Sequence, residues 1–224
     1  MNAQGSPEWF AERLGRVTAS RVADVTAKTK TGWGASRANY MADLVAERLT
    51  GEAAEGFTNA AMRWGTDMEP QAKLAYQFRQ GVTVENCGFV AHPSIEMAGA
   101  SPDGFVGEDG LVEIKCPNTA THIETLLGSP IADKYVKQMQ WQMACTGREW
   151  CDWVSFDPRM PEYASLYVKR VERSPSAIAE LETIVSNFLG EVDAKVSAIR
   201  ARYGDGQPPF EVVRDQLNKS LETA

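Results

Sequence analysis

The sequence predicts a mixed α/β fold, a central mixed β-sheet flanked by helices. Helix-spaced apolar stripes bracket the chain, and short β-prone segments punctuated by glycine and proline fill its middle. A helix-like stretch then separates these segments from two further strands, the order expected of helices packed on a mixed sheet. The 224 residues suit one domain, expected over 1–203, with a flexible C-terminal tail over 204–224. Hydrophobic content of 43% against 24% charged is enough to bury a core, which excludes disorder as the main state.

The elements follow in order. Ser6-Pro7 reads as a helix cap with proline at the first helical position. It opens a short helix carrying Trp9, Phe10 and Leu14 that ends near Gly15. Thr18 or Ser20 can cap a second helix. Ser36 opens a longer one with Tyr40, Met41, Leu44 and Val45 at helical spacing and Gly51 at its end. Another helix is expected over 67–80, with Leu74, Ala75 and Phe78 as its apolar face and Pro70 in its first turn. Strands are expected over 82–87, 89–92, 105–106 and 111–116, then a helix over 132–145. Strands over 150–156 and 165–171 are joined by the turn Asp157-Pro158-Arg159. Ser174-Pro175 starts a long last helix with Ile178, Leu181, Val185 and Phe188 on one stripe.

Composition removes several classes of function. No apolar run approaches the roughly 18 residues of a membrane span, and the first residues lack a hydrophobic signal core. Four cysteines form no CxxC pair and only two histidines exist, so zinc-ligand spacing and a disulfide framework are absent. A reduced, cytoplasmic protein with mostly buried thiols is expected. The net charge of −7 argues against a uniformly basic nucleic-acid binder. Its distribution is uneven: between Arg13 and Arg37 six basic residues face one acid, a local +5 that leaves −12 for the rest. Such a segment can grip phosphates on an otherwise acidic body, or it can be a solvated basic helix.

The chemistry concentrates in Ser101-Pro102-Asp103-Gly104 and Glu113-Ile114-Lys115-Cys116-Pro117. On a strand, Val112, Ile114 and Cys116 share one face and Glu113 and Lys115 the other. Asp103, in a turn ten residues earlier, can converge on the pair. Two carboxylates with carbonyl and water oxygens suit a hard divalent cation such as Mg²⁺ or Mn²⁺. A lysine beside them can orient water or stabilise charge on a scissile phosphate. The acid-x-Lys triplet alone is uninformative, since Asp193-Ala194-Lys195 repeats it on the last helix. Its setting on a strand below a Pro-Asp-Gly turn separates it from the alternative, a surface salt bridge on an edge strand.

The order of Trp9, Arg13-Leu14-Gly15, Thr18-Ala19-Ser20, Trp64-Gly65 with Glu69, Ser101-Pro102-Asp103-Gly104, Glu113-Ile114-Lys115-Cys116-Pro117, Gln138-x-Gln140 and Asp157-Pro158-Arg159-Met160 is more specific. With it the chain resembles the lambda-type phage exonucleases, the YqaJ-like viral recombinase branch of the PD-(D/E)xK nucleases, from Trp9 to about Val192. The resemblance implies a restriction-endonuclease-like core and a magnesium-dependent 5′ to 3′ exonuclease on double-stranded DNA ends. Such an enzyme leaves a 3′ single strand for recombination by strand annealing. It implies Asp103 and Glu113 as metal ligands with the Ile114 carbonyl, and Glu69 on a second metal directly or through water. Otherwise Glu69 is a helix-dipole carboxylate, and Pro70 leaves its pose open. Lys115 would position the attacking water and Gln138 would line the site. Arg13 and Ser20 would hold a terminal phosphate, with Trp9 either near the DNA or in the core.

The implied cofactor is Mg²⁺, two ions per site, with Mn²⁺ able to substitute. An iron–sulfur cluster is not expected, because no cysteine precedes Cys87 or follows Cys151. The implied partners are a single-strand annealing protein and two further copies in a ring-shaped trimer, in the cytoplasm of a bacterial host of a phage or prophage. Two rivals remain: a structure- or sequence-specific endonuclease on the same core, and a catalytically silent DNA-binding recombination partner. The intact Asp103, Glu113 and Lys115 set argues against the silent one.

Overall fold

Five strands form the main sheet of the computed structural model, which describes residues 2–54 and 60–204. The chain opens with α1 (Pro7–Arg13), whose cap Ser6 accepts from the Trp9 N–H at 3.2 Å. Next come β1 (Val17–Thr18), a 3₁₀ turn (Ala19–Arg21), the single-turn α2 (Val22–Val25) and a hairpin of β2 (Lys28–Thr29) and β3 (Gly32–Trp33). α3 (Ala35–Thr50) stops at Gly51, in the left-handed region at φ 74° that glycine reaches without strain. α4 (Ala60–Gln80) leads into β4 (Val84–Glu85), β5 (Val90–Ala91), β6 (Ala98–Ala100), β7 (Gly104–Val106) and β8 (Gly110–Lys115). Then follow α5 (Thr119–Leu126), α6 (Asp133–Thr146), β9 (Trp150–Phe156), β10 (Leu166–Glu172) and α7 (Pro175–Tyr203).

The main sheet runs β10-β9-β8-β7-β4. Only the β8/β9 pair is parallel; the other three neighbours are antiparallel. β8 is therefore central and covered on both faces, not the edge strand of the alternative reading. Val112 and Ile114 pack with Ala72 and Tyr76 of α4, while Leu111 packs with Met139 and Met143 of α6. A second, three-stranded sheet, β1-β6-β5, lies beside α2, α3, α6 and α7 and shares a core that includes Trp141, Phe188 and Leu44. α6 thus touches both cores: Met139 and Met143 face the main sheet, while Trp141 and Cys145 face the helices.

Three local expectations change. Thr18 occupies a cap position but makes no capping bond, because a 3₁₀ turn rather than an α-helix starts there and Ser20 lies inside it. α4 begins well before residue 67, so Pro70 sits in its interior, not its first turn. Its buried face is Ala72 and Tyr76, while Leu74 and Phe78 are 67% and 91% exposed. The small Ala72 fits against the valine-rich sheet face, and the Tyr76 hydroxyl donates to buried Asp152 at 2.8 Å. α5 was not foreseen. It is fixed by fully buried His122, whose Nδ1 meets Ser155 Oγ at 2.8 Å and whose Nε2 meets the Ala164 carbonyl at 2.9 Å. The expected tail, beyond Gly204, lies outside the described residues. No helix among the described residues is long and apolar enough to cross a membrane.

Gly104, the first residue of β7, shows why glycine follows Asp103. A Cβ there would meet Val84 Cγ1 within contact distance and the Glu85 carbonyl at 3.0 Å. Gly104→Ala should therefore cost about 1–3 kcal/mol through overpacking. Urea unfolding checks it, and an unchanged midpoint would show that β4 can move aside.

Candidate active site

The functional side chains gather at the carboxyl end of β8, where α4 and α6 flank the sheet. Glu113 is 1% exposed, and both of its oxygens are engaged. Oε1 accepts from Lys115 Nζ at 2.5 Å and from Gln138 Nε2 at 2.7 Å; Oε2 accepts from Gln142 Nε2 at 2.6 Å. A buried carboxylate without such donors would be prohibitively costly, so α6 and β8 are matched through this one group. Asp103 reaches the same place from the turn before β7, its Oδ2 accepting the Ile114 N–H at 2.6 Å. Lys73 of α4 holds that turn by donating to the Asp103 carbonyl at 2.7 Å.

The electrostatics follow from this crowding. Burial pushes the Asp103 carboxyl well above the usual range, and the charges of Glu113 and Glu69 push it further. Glu69 is raised too, by burial first and Glu113 among the charges, although Lys73 and Lys115 oppose this. Burial alone would lower the Lys115 ammonium, but Glu113 and Asp103 leave it raised and firmly charged. Glu69, Asp103, Ile114 and Lys115 line one cleft of about 910 Å³ with Trp64, Tyr135 and Arg159. Among the described residues no group of three or more His, Cys, Asp or Glu side chains is spaced to hold a metal ion directly. The donor chemistry nevertheless fits a hard divalent cation: oxygen ligands only, with the Asp103 and Glu69 carboxyls and the Ile114 backbone at one cleft.

A second pocket, of about 280 Å³, is lined by Trp9, Arg13, Arg16, Ser20 and Arg21. Its arginines are not equivalent. Arg21 pairs with Asp24 at 2.6 Å and Asp43 at 3.3 Å, and Arg16 bonds the Glu96 carbonyl. Arg13 has no carboxylate within ion-pair distance among the described residues. It donates to Ser101 Oγ at 3.1 Å and lies 4.1 Å over the Trp9 ring. Burial lowers the Arg13 guanidinium, yet a guanidinium stays charged in a protein. Trp9 donates its own ring N–H to Ser101 Oγ at 3.0 Å. It is half-buried, so it shapes the arginine's seat instead of filling a core. Ser20 is exposed at the rim.

All nine expected site residues thus fall into two groups. Asp103, Ile114, Lys115 and Glu69 line the cleft, while buried Glu113 sits behind Lys115 and Gln138 reaches the group only by its bond to Glu113; Arg13, Ser20 and Trp9 line the pocket. The Ser101-Pro102-Asp103 segment joins them, with Ser101 in one group and Asp103 in the other. Gln142, Lys73 and Ser101 were missed by sequence reasoning. Gln142 follows Gln138, and Lys73 follows Glu69, by four residues on one helix face, a readable signal. The other landmark glutamine, Gln140, points away, donating to the Glu172 carbonyl at 2.8 Å and accepting the Ser174 N–H at 2.8 Å.

Comparison with known proteins shows the family and the fold. The family profile of the YqaJ-like viral recombinase domain matches residues 8–149. An alkaline exonuclease (LHK-Exo) from Laribacter hongkongensis is 51% identical with TM-score 0.83, covering 89% of this chain and 98% of that one. The structure of LHK-Exo in complex with dAMP matches with the same figures. A phage-related exonuclease from Haemophilus somnus 129PT shares the fold at TM-score 0.68 and 16% identity, over 82% of this chain and 96% of that one. No curated protein sequence matches.

If the Asp103 and Glu69 carboxylates at the cleft form a cation site, divalent ions should stabilise the free protein. At a hundredfold excess over Kd the gain is about 2.7 kcal/mol, or about 5–11 °C in melting temperature for a chain of this size. Thermal unfolding with and without Mg²⁺ measures it. Asp103→Asn should abolish the shift, and a variant that still shifts would place the ion elsewhere.

Proposed function

Because the chain belongs to the YqaJ-like viral recombinase family, we propose that it digests double-stranded DNA from its ends, 5′ to 3′, with Mg²⁺ at the Asp103 cleft. The protein is a deoxyribonuclease with a PD-(D/E)xK-type core, and its similarity to an alkaline exonuclease extends over nearly the whole chain. Exonucleases of this kind work with divalent metal ions. The observation that carries the finer reading is the short Ser101-Pro102-Asp103 link between Arg13, which has no carboxylate partner, and the cleft that holds Asp103. Two residues span at most about 7 Å, the scale of one nucleotide step. A terminal phosphate held by Arg13 therefore brings the first internal phosphodiester to Asp103.

Each residue then has a physical task. Arg13 grips the terminal phosphate with parallel hydrogen bonds, Ser101 and Ser20 offer hydroxyls, and Trp9 keeps the guanidinium planar against its ring. Asp103, Glu113 and the Ile114 carbonyl would hold the cation, and Glu69 a second one. A divalent ion bound there would polarise the phosphoryl oxygens and make water nucleophilic near neutral pH. Lys115, already charged beside Glu113, donates toward the attacking water and the charge that grows on the phosphate. Gln138 and Gln142 keep Glu113 from rotating. The reading includes three copies closed into a ring, an annealing partner for the 3′ strand left behind, and work in a bacterial host's cytoplasm.

Linear and covalently closed duplexes test it, since an exonuclease degrades the first and spares the second. Lys115→Ala should keep DNA binding yet lose about a hundredfold or more in cleavage; near-normal cleavage would remove Lys115 from the mechanism. Arg13→Ala should slow digestion of 5′-phosphorylated duplex about ten- to a hundredfold while barely changing 5′-hydroxyl duplex. Equal slowing on both ends would make Arg13 a general backbone contact. Sedimentation should give the mass of three chains, and a monomer at micromolar concentration counts against the ring.

A further inference from the structure

The landmark Asp157-Pro158-Arg159 lies outside the chemistry assigned so far, yet it is built with unusual care. Asp157 is fully buried at 0% exposure. It holds Arg159 in a fork, Nε to Oδ1 at 2.7 Å and Nη2 to Oδ2 at 3.0 Å, and it also accepts the Arg159 backbone N–H at 3.0 Å. Nη2 reaches the Pro117 carbonyl at 3.3 Å as well. Burial alone would raise the Asp157 carboxyl, but hydrogen bonds from Arg159 and Thr119 hold it at about 2. The fork therefore persists at any pH where the protein works.

This arrangement is poor value as a surface tie, because the Arg159 side chain is 47% exposed and exposed pairs contribute little. What it does achieve is a cation of fixed orientation. Two guanidinium nitrogens are committed, and Nη1 has no partner among the described residues. The guanidinium lies 4.6 Å from the centre of the Trp64 ring, which sets its plane. The indole Nε1 of Trp64 is itself buried without a hydrogen-bond partner. Both side chains line the cleft that contains Glu69, Asp103 and Lys115, whereas Arg13 lines the other pocket.

We propose that Arg159, oriented by Asp157 and Trp64, binds a phosphodiester of the digested strand on the 3′ side of the bond being cut. The inference rests on the exonuclease reading. A strand whose 5′ end sits at Arg13 passes Ser101, meets Asp103 at its first internal phosphate, and has only the Trp64–Arg159 side of the cleft ahead of it. There a rigid cation holds the undigested strand in register while the end pocket holds the terminal nucleotide. Arg159 touches substrate but not the reacting atoms.

The test uses 5′-phosphorylated linear duplexes with one uncharged methylphosphonate linkage stepped along the digested strand. Wild-type digestion should slow about tenfold when the neutral linkage is one of the two next to the bond being cut, on its 3′ side. Arg159→Gln, made together with Asp157→Asn so that no buried charge is stranded, should slow digestion of unmodified duplex comparably. It should show no added penalty at that linkage and should keep the wild-type preference for 5′-phosphate over 5′-hydroxyl ends. A wild type indifferent to charge there overturns the proposal without any variant. So does a folded double variant that retains full rate or retains the methylphosphonate penalty. If wild type leaves unmodified linear duplex intact, the exonuclease reading fails first and takes this contact with it.

Discussion

One carboxylate, that of Glu113, sets the terms for the surrounding structure. It lies at the meeting of β8 and α6, excluded from water, and needs every lone pair answered. Removing a partner from a buried charge costs about 3–5 kcal/mol, so the glutamines of α6 and Lys115 are structural and chemical at once. They also fix how far α6 can slide along the sheet, because Met139 and Met143 pack beneath the same helix. The acidic site is thus assembled by the same contacts that close the core on that face.

The cations are sorted with equal economy. Arg37 is buried against Glu191, Arg48 reaches Asp193, and Arg170 forks onto Asp152, so each ties elements of the fold together. Arg48 also explains why Asp193-Ala194-Lys195 is no second site: Asp193 serves α3. Against that background Arg13 and Arg16 differ from Arg21 of the same pocket by lacking a carboxylate partner, and Arg13 alone of the two is held on Ser101 and the Trp9 ring. A net negative chain can therefore still present local positive charge at this pocket.

Much of this was legible before the structure, for physical reasons that differ by residue. Strands β8 and β9 and helices α3 and α7 carry strong periodicity and lie close to where pattern reading puts them, although α3 starts from Gly34 with no side-chain cap and Ser36 lies inside it. The faces of β8 followed from alternation alone. Burial of Glu113 did not, since alternation separates faces without saying that α6 covers the second one. Leu74 and Phe78 misled because apolar type was taken for burial, while the true contact on α4 uses Ala72 and Tyr76. Strands of two or three residues, such as β1 and β6, exist only because distant neighbours pair with them. Such long-range pairing leaves no local trace. Ser101 belongs to a sequence motif, but its link to Arg13 spans 88 residues and is visible only in three dimensions.

The two-residue step from Ser101 to Asp103 has one more consequence under the proposed reading. The two covalent residue steps cap the separation of Ser101 from Asp103 whatever the base sequence, so the end pocket and the cleft are tied at close range. Products released by such a device would be uniform in size, one nucleotide each, whatever the composition of the duplex. Variation in speed along the DNA would then arise from opening the helix ahead of the enzyme, and not from where it chooses to cut.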